Sequence, residues 1–298
     1  MLIYVTEKDG IDTDALEVLT RNNHTIMYEL QDKKEEVEVL FFRTYTQANE
    51  AFLSQFPQLK YILRAGTGIE NIDADYCKNK NITVINSPGA NANAVAEFVI
   101  LAILTLYRKL PQHMQNAKEG KWRDFALLGE EMKGKTLGLI GCGHIGRLVA
   151  QKIRGFEIAN VIGYDPYLTE TQLAVNKIEK KELVDVITQS DILSIHVPLT
   201  DETKNLLSAK ELATMKPSSI IINTSRGGIV NEEDLIHTIK EKIISGVALD
   251  VFTTEPTINL ELLQYPNILC TPHIGALTLE ANKSMSMQVV QKFLKMCV

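Results

Sequence analysis

The fold follows from one segment, Thr136-Leu-Gly-Leu-Ile-Gly-Cys-Gly-His-Ile-Gly-Arg147. The apolar run at 137–140 predicts a buried strand, and apolar residues resume at helical spacing after three glycines. In such a strand–turn–helix unit the first glycine allows a tight turn, the second admits a pyrophosphate, and the third lets helix and strand pack closely. The N–H groups at the helix N-terminus favour a phosphate. Gly141, Gly143 and Gly146 therefore predict a dinucleotide-binding turn.

An acidic residue follows where folds of this type bind the adenosine ribose. A second apolar run, residues 160–164, ends at Asp165, about 20 residues beyond the glycines. A carboxylate there binds the two ribose hydroxyls and repels a 2′-phosphate. No arginine or lysine follows until Lys177, so NAD is favoured over NADP as the cofactor.

Composition excludes several classes of partner. The chain has 298 residues, enough for two domains, with 45% hydrophobic and 23% charged residues, as in soluble globular proteins. A net charge of -6 argues against nucleic acid and anionic membranes as partners. We expect a cytoplasmic protein, because no signal peptide or membrane-length apolar run is visible and the four cysteines show no paired spacing. Cys142, inside the turn, is interpreted as a small filler.

The order of apolar runs predicts two α/β domains, each a doubly wound parallel sheet. We expect a discontinuous, flavodoxin-like substrate domain at 1–92 and 277–298, and an NAD-binding Rossmann domain at 93–276. In the second domain we expect six strands, at 137–140, 161–164, 192–197, 219–223, 246–249 and 268–271. We expect helices at 93–109, 206–212, 232–241 and, at the C-terminus, 279–298.

Three residues suited to carbonyl chemistry follow strands of the second domain: Arg226, Glu255 and His273. In open α/β sheets, ligands bind beyond the carboxyl ends of the strands. An arginine there can bind a carboxylate and polarise a carbonyl, and a histidine can exchange a proton as hydride moves. A carboxylate partner holds the tautomer of that histidine and favours its protonated ring. Each could be a turn residue by itself, but the three together favour an active site.

The chain resembles the D-isomer-specific 2-hydroxyacid dehydrogenase family over nearly its whole length. The resemblance rests on the Gly-rich turn and on Tyr-Asp-Pro, His-Val-Pro-Leu, Asn-Thr-Ser-Arg-Gly-Gly-Ile-Val, Ala-Leu-Asp-Val-Phe-Thr-Thr-Glu-Pro and Pro-His-Ile-Gly-Ala. Residues 64–73 and 120–122 are most similar to the phosphoglycerate-oxidising branch, in a short form without its C-terminal regulatory domain. The resemblance implies that Arg226, Glu255 and His273 are catalytic, and that reaction occurs in a cleft between the domains, which closes on the substrate.

The resemblance also implies binding residues and a homodimer. Beside the three glycines, the implied cofactor residues are Thr67, His144, Ile145, Asp165, Val197, Thr224, Ser225, Asp250, Gly275 and Ala276. Asp250 would face the nicotinamide amide. The loop with Arg64, Ala65 and Gly66 would receive the substrate carboxylate, and Arg43 would bind the phosphate of a phosphorylated 2-hydroxy acid. Lys121 and Arg123 would reach that phosphate from the neighbouring subunit, across an interface formed by the helical arm at 93–122. No metal is expected.

The leading hypothesis is NAD-dependent oxidation of D-3-phosphoglycerate to 3-phosphohydroxypyruvate, in serine biosynthesis. A glyoxylate/hydroxypyruvate or D-lactate type of reductase is the nearest alternative, because it needs the same catalytic residues and no phosphate site. A cofactor-binding corepressor is the alternative from another class, since such proteins share this fold.

Overall fold

A computed structural model describes residues 1–30 and 32–297. The chain divides into two compact units, Met1–Ala94 with Ala276–Val298, and Val95–Gly275. The division expected from the sequence lies two residues from the first of these limits and one residue from the second. Each unit contains a parallel sheet with helices, so the predicted α/β class with two parallel-sheet domains is confirmed.

The first unit is built on five parallel strands in the order β2-β1-β3-β4-β5. The strands are β1 (Leu2–Val5), β2 (Thr25–Met27), β3 (Val37–Phe42), β4 (Tyr61–Arg64) and β5 (Thr83–Asn86). The helices are α1 (Thr13–Arg21), α2 (Glu50–Leu53), α3 (Ala74–Asn79) and the terminal α11 (Leu279–Met296). This order is that of flavodoxin-like folds. The central strand β3 is buried along almost its whole length, as expected for a strand covered on both faces.

The second unit is built on seven parallel strands in the order β12-β11-β10-β9-β6-β7-β8. The strands are β6 (Thr136–Ile140), β7 (Asn160–Tyr164), β8 (Glu179–Lys180), β9 (Ile192–Ile195), β10 (Ile220–Asn223), β11 (Gly246–Leu249) and β12 (Ile268–Cys270). The helices are α4 (Ala92–Tyr107), which begins in the first unit, α5 (Leu110–Lys118), α6 (His144–Lys152), α7 (Glu170–Ala174), α8 (Leu183–Gln189), α9 (Ala209–Leu212) and α10 (Glu232–Lys240).

The strand order reverses between β6 and β9. Strands β7 and β8 continue the sheet on one side of β6, and β9 to β12 continue it on the other. Open α/β sheets bind their ligands at such a switch point, beyond the carboxyl ends of the strands. The Gly-rich turn directly follows β6, so the topology places it at this point.

All six strands expected in the second unit are present, within two residues of the expected limits, whereas helices α7 and α8 and strand β8 are additional. The additional strand β8 is only two residues long and polar, so it carries no apolar pattern. The helix expected at 206–212 covers only Ala209–Leu212, because Leu207 pairs with Val230 in an isolated bridge. The helix begins after Ser208, which forms a reciprocal capping box with Glu211.

Candidate active site

The three glycines of the turn have three different surroundings. Gly141 has a φ of 91°, and a Cβ atom there would lie 2.8 Å from the backbone of His196. A Cβ at Gly146 would lie 2.5 Å from the carbonyl oxygen of Gly141, so only glycine lets α6 pack this closely. At Gly143 a Cβ would meet no heavy atom within 4 Å. The backbone is therefore tight at the first and third glycines and open at the second.

The open glycine precedes the start of α6. Gly143 is the N-cap residue and supplies no side-chain cap, so the first N–H groups of the helix, starting with His144 and Ile145, are left to another acceptor. Val197 borders the turn, since its Cγ1 atom lies 2.9 Å from a Cβ placed on Gly141. This is the arrangement that binds a phosphate anion at a helix N-terminus.

Asp165 lies at the same turn. Its Oδ2 atom accepts a hydrogen bond of 2.9 Å from the backbone N–H of Cys142, and its Oδ1 atom accepts one of 3.0 Å from Tyr167 N–H. The carboxylate at the end of β7 is thus held beside the glycines. Cys142 is buried, and burial raises the pKa of its thiol to about 12, as expected for a filler rather than a nucleophile.

Arg226 lies in a loop after β10 that is organised by a buried asparagine. Asn223 Oδ1 accepts from the N–H and hydroxyl of Ser225 at 3.1 and 2.8 Å, and its Nδ2 donates to the carbonyl of Arg226 at 2.9 Å. The sequence interpretation did not single out Asn223, although its place at the end of a strand before Thr-Ser-Arg could have suggested it. Thr224 Oγ1 is buried and has no hydrogen-bond partner among the described residues.

His273 and Glu255 form a hydrogen-bonded pair. Nδ1 of His273 lies 2.8 Å from Oε2 of Glu255, and Oε1 of Glu255 accepts a 3.1 Å hydrogen bond from Phe252 N–H. Burial alone would raise the pKa of Glu255, but the hydrogen bond and charge of His273, the Phe252 N–H and the charge of Arg226 together lower it. The three predicted catalytic residues therefore share one electrostatic environment within the second unit.

The loop of His273 is held by a buried aspartate. Asp250 Oδ1 accepts from Thr271 Oγ1 and Ile274 N–H at 2.7 and 2.8 Å, and its Oδ2 accepts from Gly275 N–H at 2.7 Å. Burial raises the pKa of Asp250 in spite of these bonds. His273 itself has a φ of 54°, a left-handed conformation uncommon for a residue with a side chain. The contacts of Asp250 thus give it a role in shaping this loop.

The first unit contains the predicted substrate loop at the end of β4. Ala65 N–H donates to Phe42 O at 2.9 Å and Gly66 N–H donates to Arg64 O at 2.8 Å, so both amides are engaged within the unit. The guanidinium of Arg64 lies over Gly66, where a Cβ would overlap it. The backbone of Thr67 is held by a hydrogen bond of 2.7 Å that its carbonyl accepts from Asn86 Nδ2.

Arg43 also belongs to the first unit, and its hydrogen-bond partners within the described part of the chain are neutral. Its Nη1 donates to Asn282 Oδ1 at 3.2 Å and its Nη2 donates to the carbonyl of Ala276 at 3.4 Å. The nearby carboxylate of Glu7 is occupied by the loop after β3, where it accepts from Thr44 N–H at 2.7 Å and Thr46 N–H at 2.6 Å. Burial of the guanidinium lowers the pKa of Arg43. A half-buried cation that forms no ion pair with any described residue is a suitable site for an anion.

The two remaining predicted residues are Lys121, in the helical arm, and Arg123, just beyond it. Lys121 is exposed and pairs with Glu119 at 2.7 Å, and Arg123 borders a groove of about 660 Å³. The groove is lined by apolar side chains that include Leu101, Leu110 and Phe125. No group of His, Cys, Asp and Glu able to hold a metal ion occurs within residues 1–30 and 32–297. No helix in this described part of the chain is long and apolar enough to cross a membrane.

The fold and these residues define a dinucleotide-dependent dehydrogenase, and comparison with known proteins identifies its family. Residues 100–275, more than half of the chain, match the family model described as the NAD-binding domain of D-isomer specific 2-hydroxyacid dehydrogenases. The chain belongs to this family, and the predicted resemblance is confirmed. NAD is its cofactor, in agreement with the open Gly143, the uncapped start of α6 and the carboxylate of Asp165.

The relatives differ in substrate. The chain is 38% identical to a hydroxypyruvate reductase of Thermotoga maritima, with 96% of both chains covered. It is 34% identical to a D-3-phosphoglycerate dehydrogenase of Bacillus subtilis, with 96% of this chain but 53% of the relative covered. The chain thus spans about half the length of that relative. Among solved structures, a D-lactate dehydrogenase from Aquifex aeolicus complexed with NAD and lactic acid has a TM-score of 0.85 at 26% identity, with 100% of this chain and 95% of the other covered.

Proposed function

We propose that this chain oxidises D-3-phosphoglycerate to 3-phosphohydroxypyruvate with NAD, as an enzyme of serine biosynthesis. The observation that carries the substrate assignment is Arg43, whose half-buried guanidinium donates to neutral partners alone among residues 1–30 and 32–297 and so can bind a phosphate. D-3-Phosphoglycerate dehydrogenases among the relatives support the same assignment.

Proton transfer in this reaction is assigned to His273. Because Nδ1 is bound to Glu255, Nε2 is the nitrogen left to take the proton of the substrate's 2-hydroxyl group. Glu255, whose pKa is lowered, stays ionised and stabilises the imidazolium that results. The bound nicotinamide supplies the acceptor for the hydride that leaves C2. One proton and one hydride therefore leave the alcohol, and a ketone remains.

Arg226 and the loop after β4 are assigned to the substrate's polar groups. A guanidinium beside the 2-oxygen stabilises the charge that develops there as the C–O bond gains double-bond character. We propose that Arg64 and the N–H group of Thr67 bind the carboxylate, because the N–H groups of Ala65 and Gly66 already have acceptors. The phosphate is then bound by Arg43, together with Lys121 and Arg123 of a second subunit.

A homodimer is part of this proposal. Leu101 in the helical arm is 55% exposed, and Phe125 and Leu128, which follow the arm, are 75% and 68% exposed. Exposed apolar side chains grouped on one surface favour an interface between protein chains. The expected cytoplasmic location is likewise retained as a proposal.

A hydroxypyruvate or glyoxylate reductase is the second candidate. It is favoured by the Thermotoga maritima relative, which is 38% identical to this chain with 96% of both chains covered. The same His273, Glu255 and Arg226 would serve reduction, in which His273 donates the proton and the 2-carbonyl group of the acid becomes a hydroxyl group. Arg43 would then have no phosphate to bind.

A substrate panel distinguishes these functions. Initial rates would be measured at 340 nm. Oxidation would be tested with D-3-phosphoglycerate and NAD, and reduction with NADH and each of hydroxypyruvate, glyoxylate and pyruvate. Every assay would be repeated with the phosphorylated cofactor, NADP or NADPH. We expect Arg43→Ala to raise KM for D-3-phosphoglycerate by about 10-fold or more and to leave KM for hydroxypyruvate within about twofold. Arg21→Ala is the matched control, because Arg21 is an exposed cation of the same unit whose ion pair is with the exposed Glu17.

The outcomes separate the three hypotheses. An unchanged KM for D-3-phosphoglycerate in Arg43→Ala argues against the phosphate site. A wild-type chain that reduces hydroxypyruvate but leaves D-3-phosphoglycerate unoxidised supports the reductase. A chain that binds NADH and turns over none of these acids supports a corepressor-like protein.

A further inference from the structure

The loop that carries Glu255 is anchored to the first residue of α10. Oε1 of Glu232 accepts hydrogen bonds from both the N–H and the hydroxyl of Thr253, at 2.7 and 2.8 Å. Hydrogen bonds to an ionised carboxylate are stronger than those between neutral groups. This contact is here called the Glu232–Thr253 clamp. Because Thr253 lies two residues before Glu255, the clamp fixes the backbone that leads to the catalytic carboxylate.

The clamp also reaches the loop of Arg226. Glu232 follows Arg226 by six residues, and Asn231 caps the helix by accepting a hydrogen bond of 3.0 Å from Asp234 N–H. Gly227, which lies between Arg226 and Glu232 in the sequence, packs against the backbone of Phe252. A Cβ atom at Gly227 would lie only 1.9 Å from that backbone. The two loops therefore meet at two places, Gly227 with Phe252 and Glu232 with Thr253.

We propose that Glu232 is a positioning residue that acts through Thr253 to hold Glu255 within hydrogen-bond distance of His273. Phe252 N–H, which donates to Glu255 Oε1 at 3.1 Å, lies directly beside the clamp and transmits its constraint to the carboxylate. The proposal rests on the hydride transfer assigned above but not on the phosphorylated substrate. Any 2-keto acid that the wild-type chain reduces can therefore test it.

A simpler role for Glu232 would be to stabilise α10. The neighbouring carboxylates distinguish this role from the positioning of Glu255. Glu232, Glu233 and Asp234 all lie in the first turn of the helix, where a negative charge is favourable. Glu233 is exposed, and its carboxylate accepts no hydrogen bond from the described residues. Glu233→Ala thus removes a carboxylate from the same helix end without touching Thr253, and it is the matched control.

The experiment compares Glu232→Ala, Glu232→Gln, Thr253→Val and Glu233→Ala with the wild type. For each, kcat and KM would be measured across the pH range with NADH and the best 2-keto acid, together with the Tm. We expect Glu232→Ala to lower kcat by about 10- to 100-fold while KM for NADH stays within about twofold, because a misplaced Glu255 impairs chemistry and not cofactor binding. Glu232→Gln keeps an oxygen acceptor for both bonds and should retain most of the activity.

The pH profile supplies a readout that a merely structural role would not move. Reduction needs a protonated His273, which faces the carboxylate of Glu255, with the charges of Arg226 and Asp250 nearby. When Glu255 moves away, an imidazolium on His273 loses its partner, so the pH profile of kcat should differ between Glu232→Ala and the wild type. Thr253→Val keeps the N–H bond and loses the hydroxyl bond, so a smaller change of the profile is expected.

Two results would overturn the proposal. One is a Glu232→Ala variant with the kcat and pH profile of Glu233→Ala. The other is a loss of kcat in Glu232→Ala and Thr253→Val without any change of the profile. A wild type that reduces 2-keto acids but does not oxidise D-3-phosphoglycerate contradicts only the proposed substrate, whereas one inactive on every acid contradicts the reaction and the clamp's role together.

Discussion

Nδ1 of His273 lies 2.8 Å from Oε2 of Glu255, and the other oxygen of that carboxylate is held by Phe252 N–H. The tautomer of the imidazole is thereby tied to a carboxylate that is itself fixed by backbone. Nε2 is left as the nitrogen that can exchange a proton with substrate. The two residues are 18 positions apart and lie in different loops, so it is the fold that brings them together.

Replacing Glu255 with glutamine tests the charge of this pair. A glutamine has nearly the same shape, but it cannot stabilise an imidazolium as a carboxylate does. We expect Glu255→Gln to lower kcat for 2-keto acid reduction by roughly 10²-fold, measured at 340 nm with NADH. Glu261→Gln is the control, because Glu261 forms an exposed ion pair with Lys240 at 2.9 Å. Equal kcat values for the two variants would contradict the assignment of Glu255.

Alanine at two of the glycines should separate cofactor binding from folding. At Gly143 a Cβ enters open space, so Gly143→Ala should keep the wild-type Tm and raise KM for NADH by about 10-fold or more, because the methyl group occupies the approach of the pyrophosphate. At Gly146 a Cβ would meet the Gly141 carbonyl at 2.5 Å, so Gly146→Ala should lose about 1–3 kcal/mol of stability. A lowered Tm in Gly143→Ala with an unchanged KM would show that the opening is not the phosphate site.

Asp165 should determine the choice between NADH and NADPH. Its carboxylate would bind the ribose hydroxyls of NADH and repel the 2′-phosphate of NADPH. We expect the wild type to prefer NADH in kcat/KM, and Asp165→Asn to reduce that preference by about 10-fold or more. Asparagine keeps an oxygen that can accept the hydrogen bond from Cys142 N–H, so the turn should remain folded. Comparable kcat/KM values for both cofactors in the wild type would contradict the role of Asp165.

The parts of the candidate site that the sequence can suggest are those with a local signature. The Gly-rich turn combines a strand period, a glycine spacing and a helix period, and Arg226, Glu255 and His273 each follow an apolar strand. The clamp between Glu232 and Thr253 has no such signature, because its partners are 21 residues apart and a glutamate at a helix start is ordinary. The contacts of Asp250 with the loop of His273 likewise have no local signature, because they depend on β11 and β12 being neighbours in the sheet.

His196 gives a prediction about stability and pH that involves no ligand. Its Nε2 lies 2.9 Å from Ser194 Oγ, its Nδ1 is buried without a partner among the described residues, and burial lowers its pKa to about 3. The ordinary value of 6.5 applies to the unfolded chain. Below pH 6.5 the unfolded chain therefore binds a proton that the folded chain does not, and stability falls by about 1.4 kcal/mol for each further pH unit down to about 3.

His196→Gln removes this titration. The variant should be less stable than the wild type at pH 7, because glutamine does not reproduce the packing of the ring beneath Gly146. Between pH 7 and pH 5, however, its free energy of unfolding should fall by about 2 kcal/mol less than that of the wild type, measured by urea denaturation at both values. His24, whose pKa burial also lowers, contributes in the same direction in both proteins and cancels from the comparison. Identical losses of stability in the two proteins would mean that His196 becomes protonated in the folded state.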